Sequence, residues 1–181
     1  YWAWKTDVLL QELAASPENG LVVYLDAGCT LNPQGERRFR EYLAMARANE
    51  PGIVSFAMPH LPEEQWITRE VFAACSSNIS GGTQIPMSVR KSGQLVGGVL
   101  VLRNSPAVRE IVEQCRRVAD SDFRLLTDQY NQGQIPTFKE GRHDQSVFSV
   151  VRKLHGCVVV PRDESWVPPF GSGRSLAYPF W

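Results

Sequence analysis

Short apolar runs alternate with helical periodicities along this chain. Leu21-Val22-Val23-Tyr24-Leu25 is an unbroken apolar run, closed by Asn19-Gly20 before it and Ala27-Gly28 after it. Such a run predicts a short strand buried on both faces. Residues 53–56, 95–102 and 157–160 predict three more. Between them the period changes to that of a helix. Trp4, Val8 and residues 10–13 give a rough apolar stripe over 3–14, with Lys5, Asp7 and Glu12 on other faces. Asn32 and Pro33 suit the cap and first position of a helix in which Phe39, Tyr42, Leu43 and Ala46 recur at i, i+3, i+4 and i+7. A short helix over 68–74 has Thr68 as its cap. Ser105 and Pro106 open a clear helix with Val108, Ile111, Val112, Cys115 and Ala119 as its buried stripe. Val147, Val150, Val151 and Leu154 mark a last helix, stopped by Gly156, with Arg152, Lys153 and His155 toward the negative end of its dipole. Residues 59–62, 76–86 and 120–142 read as loops, and the chain after 160 is aromatic and rich in Pro and Gly. This order predicts a single α/β domain over residues 1–181, with a mixed, mostly parallel sheet flanked by helices.

One interruption stands out. Gly97-Gly98 falls inside the apolar run 95–102. Glycine weakens a strand interior and marks either a bulge or the close approach of another backbone or a ligand; both readings stay open. The Ser/Gly/Asn-rich 76–86 loop is a lid if it lies near a site and a plain surface loop otherwise.

Composition narrows the function classes. Nineteen basic residues balance nineteen acidic ones, so nothing favours a general nucleic-acid surface. No apolar run approaches the roughly 20 residues of a membrane helix. The four cysteines lie far apart with no C-x-x-C pair, which gives neither a zinc pattern nor a disulfide framework. Free thiols fit a reducing compartment, so a cytoplasmic location is expected, at most peripheral to a membrane. The chain opens on Tyr1-Trp2 inside a patterned segment and is read as a fragment lacking its N-terminal part.

Two stations can carry chemistry. Asp26 ends the first strand, and ligands of open α/β sheets bind outside the carboxyl ends of strands. Its ordinary alternative is to start the following turn. The second station is Arg142-His143-Asp144-Gln145-Ser146 at a helix N-terminus, where free amides and the helix dipole attract anions. There the ordinary alternatives are Asp144 as a helix cap and His143 as a surface or packing residue. A shared function requires both stations to face one cleft, about a sugar-diphosphate length apart. Trp66 or Trp166 could stack on a sugar face, and ordinary packing is the alternative for each.

Four stretches together resemble sugar-nucleotide glycosyltransferases of the GT-A fold, in particular a group of bacterial and viral transferase-like sequences. They are Tyr1-Trp2-Ala3-Trp4-Lys5, Tyr24-Leu25-Asp26-Ala27-Gly28, Gln94-Leu95-Val96-Gly97-Gly98-Val99 and Arg142-His143-Asp144-Gln145-Ser146. The resemblance implies a nucleotide-sugar donor and a saccharide acceptor, either a glycan or a lipid-linked saccharide, with the first nucleotide-binding strand in the missing N-terminal part. In that fold an Asp-x-Asp at a strand end binds a divalent metal and the diphosphate. Asp26 matches the first Asp, which makes it the metal-ligand candidate for Mn or Mg, while Gly28 replaces the second. The resemblance thus assigns Asp26, Gly28, Gly97, Gly98 and His143 to donor binding. His143-Asp144-Gln145-Ser146 is also similar to the His-Asp-Glu-Ser of retaining blood-group-type transferases, whose Glu is the proposed nucleophile. That likeness assigns Asp144 and Gln145 to catalysis. Gln145 cannot be a carboxylate nucleophile, but it can hydrogen-bond the donor sugar or stabilise charge.

Two alternatives remain. Residues 22–31 superficially resemble the first motif of haloacid-dehalogenase-type phosphatases, with Asp26 as nucleophile, but Gly28 stands where their general-acid Asp belongs. A non-catalytic nucleotide-sugar-binding relative is the third class.

Overall fold

In the computed structural model, which describes residues 2–181, the chain-order elements are α1 (Trp4–Ala15), β1 (Leu21–Leu25), α2 (Glu36–Ala48), β2 (Ile53–Pro62), α3 (Glu63–Trp66), α4 (Arg69–Ile79), α5 (Met87–Lys91), β3 (Gly93–Leu95), β4 (Val99–Arg103), α6 (Pro106–Ser121), α7 (His143–His155) and β5 (Val158–Val160). Tyr1, the first residue of one of the resembling stretches, lies outside the described residues. The helix starts follow the capping chemistry. Asn32 accepts from Gln34 N at 3.1 Å ahead of the 3-10 turn Pro33–Gly35, Thr68 accepts from Val71 N at 3.3 Å, and Ser105 accepts from Val108 N at 3.2 Å.

The sheet corrects the expectation of mostly parallel strands. β4 pairs antiparallel with β1 and with β2, β3 pairs antiparallel with β2, and β5 alone pairs parallel with β2. β1, β2 and β5 therefore run in one direction. β4 lies between β1 and β2 and runs opposite to both, and β3 runs in the same sense as β4. Alternating helices and strands set a shared direction but leave open which strands become neighbours.

The segment 93–103 is one strand path broken by a bulge. The registers are Val54↔Val101 and Ala57↔Leu95. Three steps along β2 thus face six along its partner, and the surplus is taken up at Val96-Gly97-Gly98. The predicted continuous strand over 95–102 is corrected accordingly. β2 also runs on through residues 59–62, which were expected to be a loop, because β3 extends the pairing as far as Pro62↔Gly93. α4 absorbs the first part of the 76–86 loop.

Alternation along β2 and β4 sorts the core. Ile53, Leu100 and Leu102 meet α1, α4, α6 and α7 on one face. Val54, Phe56, Val99 and Val101 meet Tyr42 and Ala46 of α2, and Phe180 of the C-terminal segment, on the other. The result is helices over both faces of a twisted sheet. Among the described residues no helix is long and apolar enough to cross a membrane.

Arg152 departs from its expected place at the solvated end of α7. It is buried and directed into the sheet. Its Nη1 donates to Ser55 Oγ at 2.9 Å, its Nη2 to Leu95 O at 3.2 Å and Val96 O at 2.9 Å, and its Nε to Phe148 O at 2.9 Å. Lys153 also turns inward, to the buried Glu63 of α3. α7 presents these positions to β2 and β3, so their charges replace ladder partners that the bulged strand lacks. Arg152→Leu would leave two strand carbonyls unpaired in the interior. It is expected to cost about 3 kcal/mol in urea denaturation and to speed hydrogen exchange at the Gly97 amide.

Candidate functional site

Lys5 lies in the first turn of α1, on the same face as Leu9 and Leu13. Only 2% of it is exposed, against the expectation of an outward face. Its Nζ stands 2.5 Å from Asp144 Oδ2 and 3.4 Å from Asp26 Oδ1, and it donates to Gly97 O at 3.3 Å. The ammonium also lies 4.9 Å from the centre of the Tyr24 ring and 5.8 Å from that of Trp2. Asp144 Oδ2 has no hydrogen-bond partner among the described residues, which leaves the Lys5 ion pair as its counter-charge. The two carboxylate stations therefore do face one cleft. They are closer than a sugar-diphosphate length, on either side of one nitrogen.

Asp26 is held by its own strand. The Tyr24 hydroxyl donates to Asp26 Oδ1 at 2.6 Å, and Asp26 N donates to Gly98 O at 2.9 Å. Asp144 is not the helix cap. Arg142 N donates to Ser146 Oγ at 3.1 Å, and that hydroxyl donates to Trp66 O at 3.2 Å, so Ser146 does the local bonding. This leaves the Asp144 carboxylate to the cleft. His143 adopts φ 50°, uncommon for a residue with a side chain, and its Nε2 lies 3.0 Å from Asp128 Oδ1. Arg142 lies with its guanidinium 5.6 Å from the centre of the Trp66 ring.

Gln145 and the two glycines meet at the bulge. Gln145 Oε1 accepts from Gly97 N at 3.0 Å and its Nε2 donates to Gln94 Oε1 at 2.6 Å. Both ends of its amide are thus engaged, and Gln145 ties α7 to the bulge. A Cβ on Gly97 would come within 2.8 Å of Gln145 Cβ, and one on Gly98 within 2.7 Å of Asp26 Oδ2. Both glycines line the cleft, but the close approach that requires them is by these two side chains. Gly28 is exposed, with nothing within 4 Å of an added Cβ, so nothing there requires glycine.

Two cavities adjoin. One, of about 320 Å³, is lined by Trp2, Lys5, Asp26, Gly97, Gly98, Asp128 and residues 140–145. The other, of about 630 Å³, runs past Gly28, Met58, His60, Arg162, Trp166 and Trp181. Asp26, Gly98, Arg142 and Gln145 line both. Trp166 is 67% exposed and faces this groove, whereas Trp66 lines neither cavity. No residue of the 76–86 loop lines them either, so the lid reading does not apply.

Among the described residues no group of three His, Cys, Asp or Glu is arranged to hold a metal. The space between Asp26 and Asp144 is filled by the Lys5 ammonium. A metal bridging these carboxylates does not fit the residues present. Lys5, Tyr24 and Asp128 were given no site role from sequence, and Arg142 was named only as part of the second station. For Lys5 a signal existed: with Leu9 and Leu13 it forms an i, i+4, i+8 row on the buried face.

Tyr24 provides a pH test. Burial, then the hydrogen bond and charge of Asp26, hold its phenol well above the usual tyrosine range. Tyr42, buried and bonded to Glu164 at 2.5 Å, is shifted the same way. The folded state keeps these protons where the unfolded chain releases them. Their contribution is therefore complete below pH about 10 and lost as pH rises beyond it. The urea midpoint is expected to fall between pH about 9.5 and about 11, less steeply in Tyr24→Phe and Tyr42→Phe than in the unaltered chain.

Compared with protein-family models, curated proteins and solved structures, the chain matches none.

Proposed function

We propose that this chain is a glycosyltransferase domain of the GT-A type that its motifs resemble, moving a sugar from a nucleotide-sugar donor to a hydroxyl of a saccharide acceptor. The observation that carries this reading is the pair of cavities meeting at Asp26, Gly98, Arg142 and Gln145. Group transfer needs two substrates held against each other with water displaced, and two adjoining cavities with a carboxylate at their junction supply that geometry.

In this reading the smaller cleft takes the donor sugar. Asp144 and Asp26 accept hydrogen bonds from its hydroxyls and oppose the positive charge of an oxocarbenium-like centre. Arg142 borders both cavities and suits the diphosphate leaving group, whose oxygens a guanidinium can bind in pairs. The acceptor lies in the larger groove, with a sugar face on Trp166. As the bond from anomeric carbon to phosphate oxygen breaks, the acceptor oxygen bonds to that carbon. The hydroxyl proton passes to the Asp26 carboxylate, and the electron pair leaves on the diphosphate.

The test begins with a melting-temperature screen of nucleotide sugars, followed by a transfer assay with the donor that stabilises the chain. Asp144→Asn is expected to fold, to keep the donor-induced shift, and to lose about 100-fold or more in kcat. Trp166→Ala is expected to raise the acceptor KM about tenfold and leave the donor KM unchanged. Binding with no transfer to any acceptor would mark a binding protein, and no stabilisation by any nucleotide sugar would remove the reading altogether.

A further inference from the structure

We propose that Lys5 is the resident cation of this site: its ammonium takes the position between Asp26 and Asp144 that a divalent ion would otherwise hold, and the site functions without a metal. The oxygens around Nζ are Asp144 Oδ2, Asp26 Oδ1 and Gly97 O, at 2.5, 3.4 and 3.3 Å. Two carboxylates and a backbone carbonyl form an all-oxygen set of the kind that hard divalent cations select. The ammonium donates to Gly97 O and stands in ion-pair contact with both carboxylates. The same donor set thus serves a nitrogen cation delivered by the chain.

The ammonium is also fixed. Lys5 is 2% exposed, its stem rises from the first turn of a 12-residue helix, and the rings of Tyr24 and Trp2 flank its head. It cannot swing aside for an incoming ion without exposing two carboxylates and breaking its contact with the strand carbonyl. An ion arriving with Lys5 in place meets a positive charge where it needs its ligands, in a partly desolvated pocket where repulsion is weakly screened. The remaining ionisable groups of the cleft, Asp128, Glu140, Arg142 and His143, pair among themselves: His143 with Asp128 and Arg142 with Glu140. Lys5 is a positioning residue here. It fixes the spacing and neutralises one charge of the carboxylate pair.

The part of the proposal that concerns metal exclusion is independent of the transferase reading; the part that concerns turnover rests on it. Binding of Mn²⁺ to the full chain, followed by electron paramagnetic resonance, separates them. The unaltered chain is expected to take no Mn²⁺ in an Asp26-dependent manner. Lys5→Ala is expected to gain a single Mn²⁺ site, about 100-fold tighter, that disappears again in Lys5→Ala/Asp144→Asn. A folded Lys5→Ala that gains no Mn²⁺ overturns the proposal. If Lys5→Ala does not fold, the comparison of the unaltered chain with Asp26→Asn decides: Mn²⁺ bound by the former and lost in the latter overturns it, and no difference supports it. For turnover, the donor-induced melting shift and the transfer rate are expected to be the same in EDTA as in Mn²⁺. Loss of both in EDTA, with recovery in Mn²⁺, overturns metal independence while leaving the transferase reading intact. Absence of any nucleotide-sugar response removes the transferase reading and leaves the Mn²⁺ result standing.

Discussion

A buried ammonium is the constraint on which this arrangement depends. Removing a charge from water costs several kcal/mol unless it is paired and hydrogen-bonded. Lys5 meets that demand with groups from three distant parts of the chain: the end of β1, the bulge before β4 and the first turn of α7. None of the three can shift alone without leaving the ammonium or a carboxylate unmatched. The cleft is therefore the place where α1, the sheet and α7 are required to agree, and its geometry is specified by electrostatics as much as by packing.

Arg152 plays the complementary part on the inner side. The carbonyls of four consecutive residues at the bulge are all engaged, three of them by side chains. Leu95 and Val96 accept from Arg152, Gly97 accepts from Lys5, and Gly98 accepts from the Asp26 amide. A bulge interrupts the inter-strand ladder, and buried carbonyls freed in this way need partners. Two buried cations supply most of them here. The irregular strand packs Asp26 on one side and Gln145 on the other so closely that neither glycine has room for a Cβ.

The parts of this structure governed by local chemistry were legible from the residues. Asn32, Thr68 and Ser105 cap helices because their side-chain oxygens reach amides two or three residues on, a relation contained in the sequence. The stripe of α6 and the choice of Asp26 and Asp144 as partners belong to the same class, as a periodicity and as carboxylates at element ends. What was not legible was long-range. The antiparallel neighbours of β4 depend on where the 93–103 segment is inserted, which no local pattern encodes. Pro59 and Pro62 made residues 59–62 look like a loop, whereas pairing with β3 keeps them in a strand. Lys5 and Arg152 look like surface residues by type. Only the groups awaiting them in the interior make their burial favourable. Gln145 looked like a departure from a catalytic pattern, and its role emerges only from the Gly97 amide and the Gln94 side chain that bracket it.

The open space at Gly28 has a consequence for how such a site can change over time. The second carboxylate of the pair comes from Asp144, far along the chain, so the loop after Asp26 carries no obligation to supply one. Residues 27 and 28 are exposed, and position 28 has room for a side chain without disturbing the paired charges. A chemistry distributed over distant segments leaves only short, separated traces in the sequence. Its persistence is then recorded in the requirement that a lysine, two aspartates and a glycine carbonyl meet at one point.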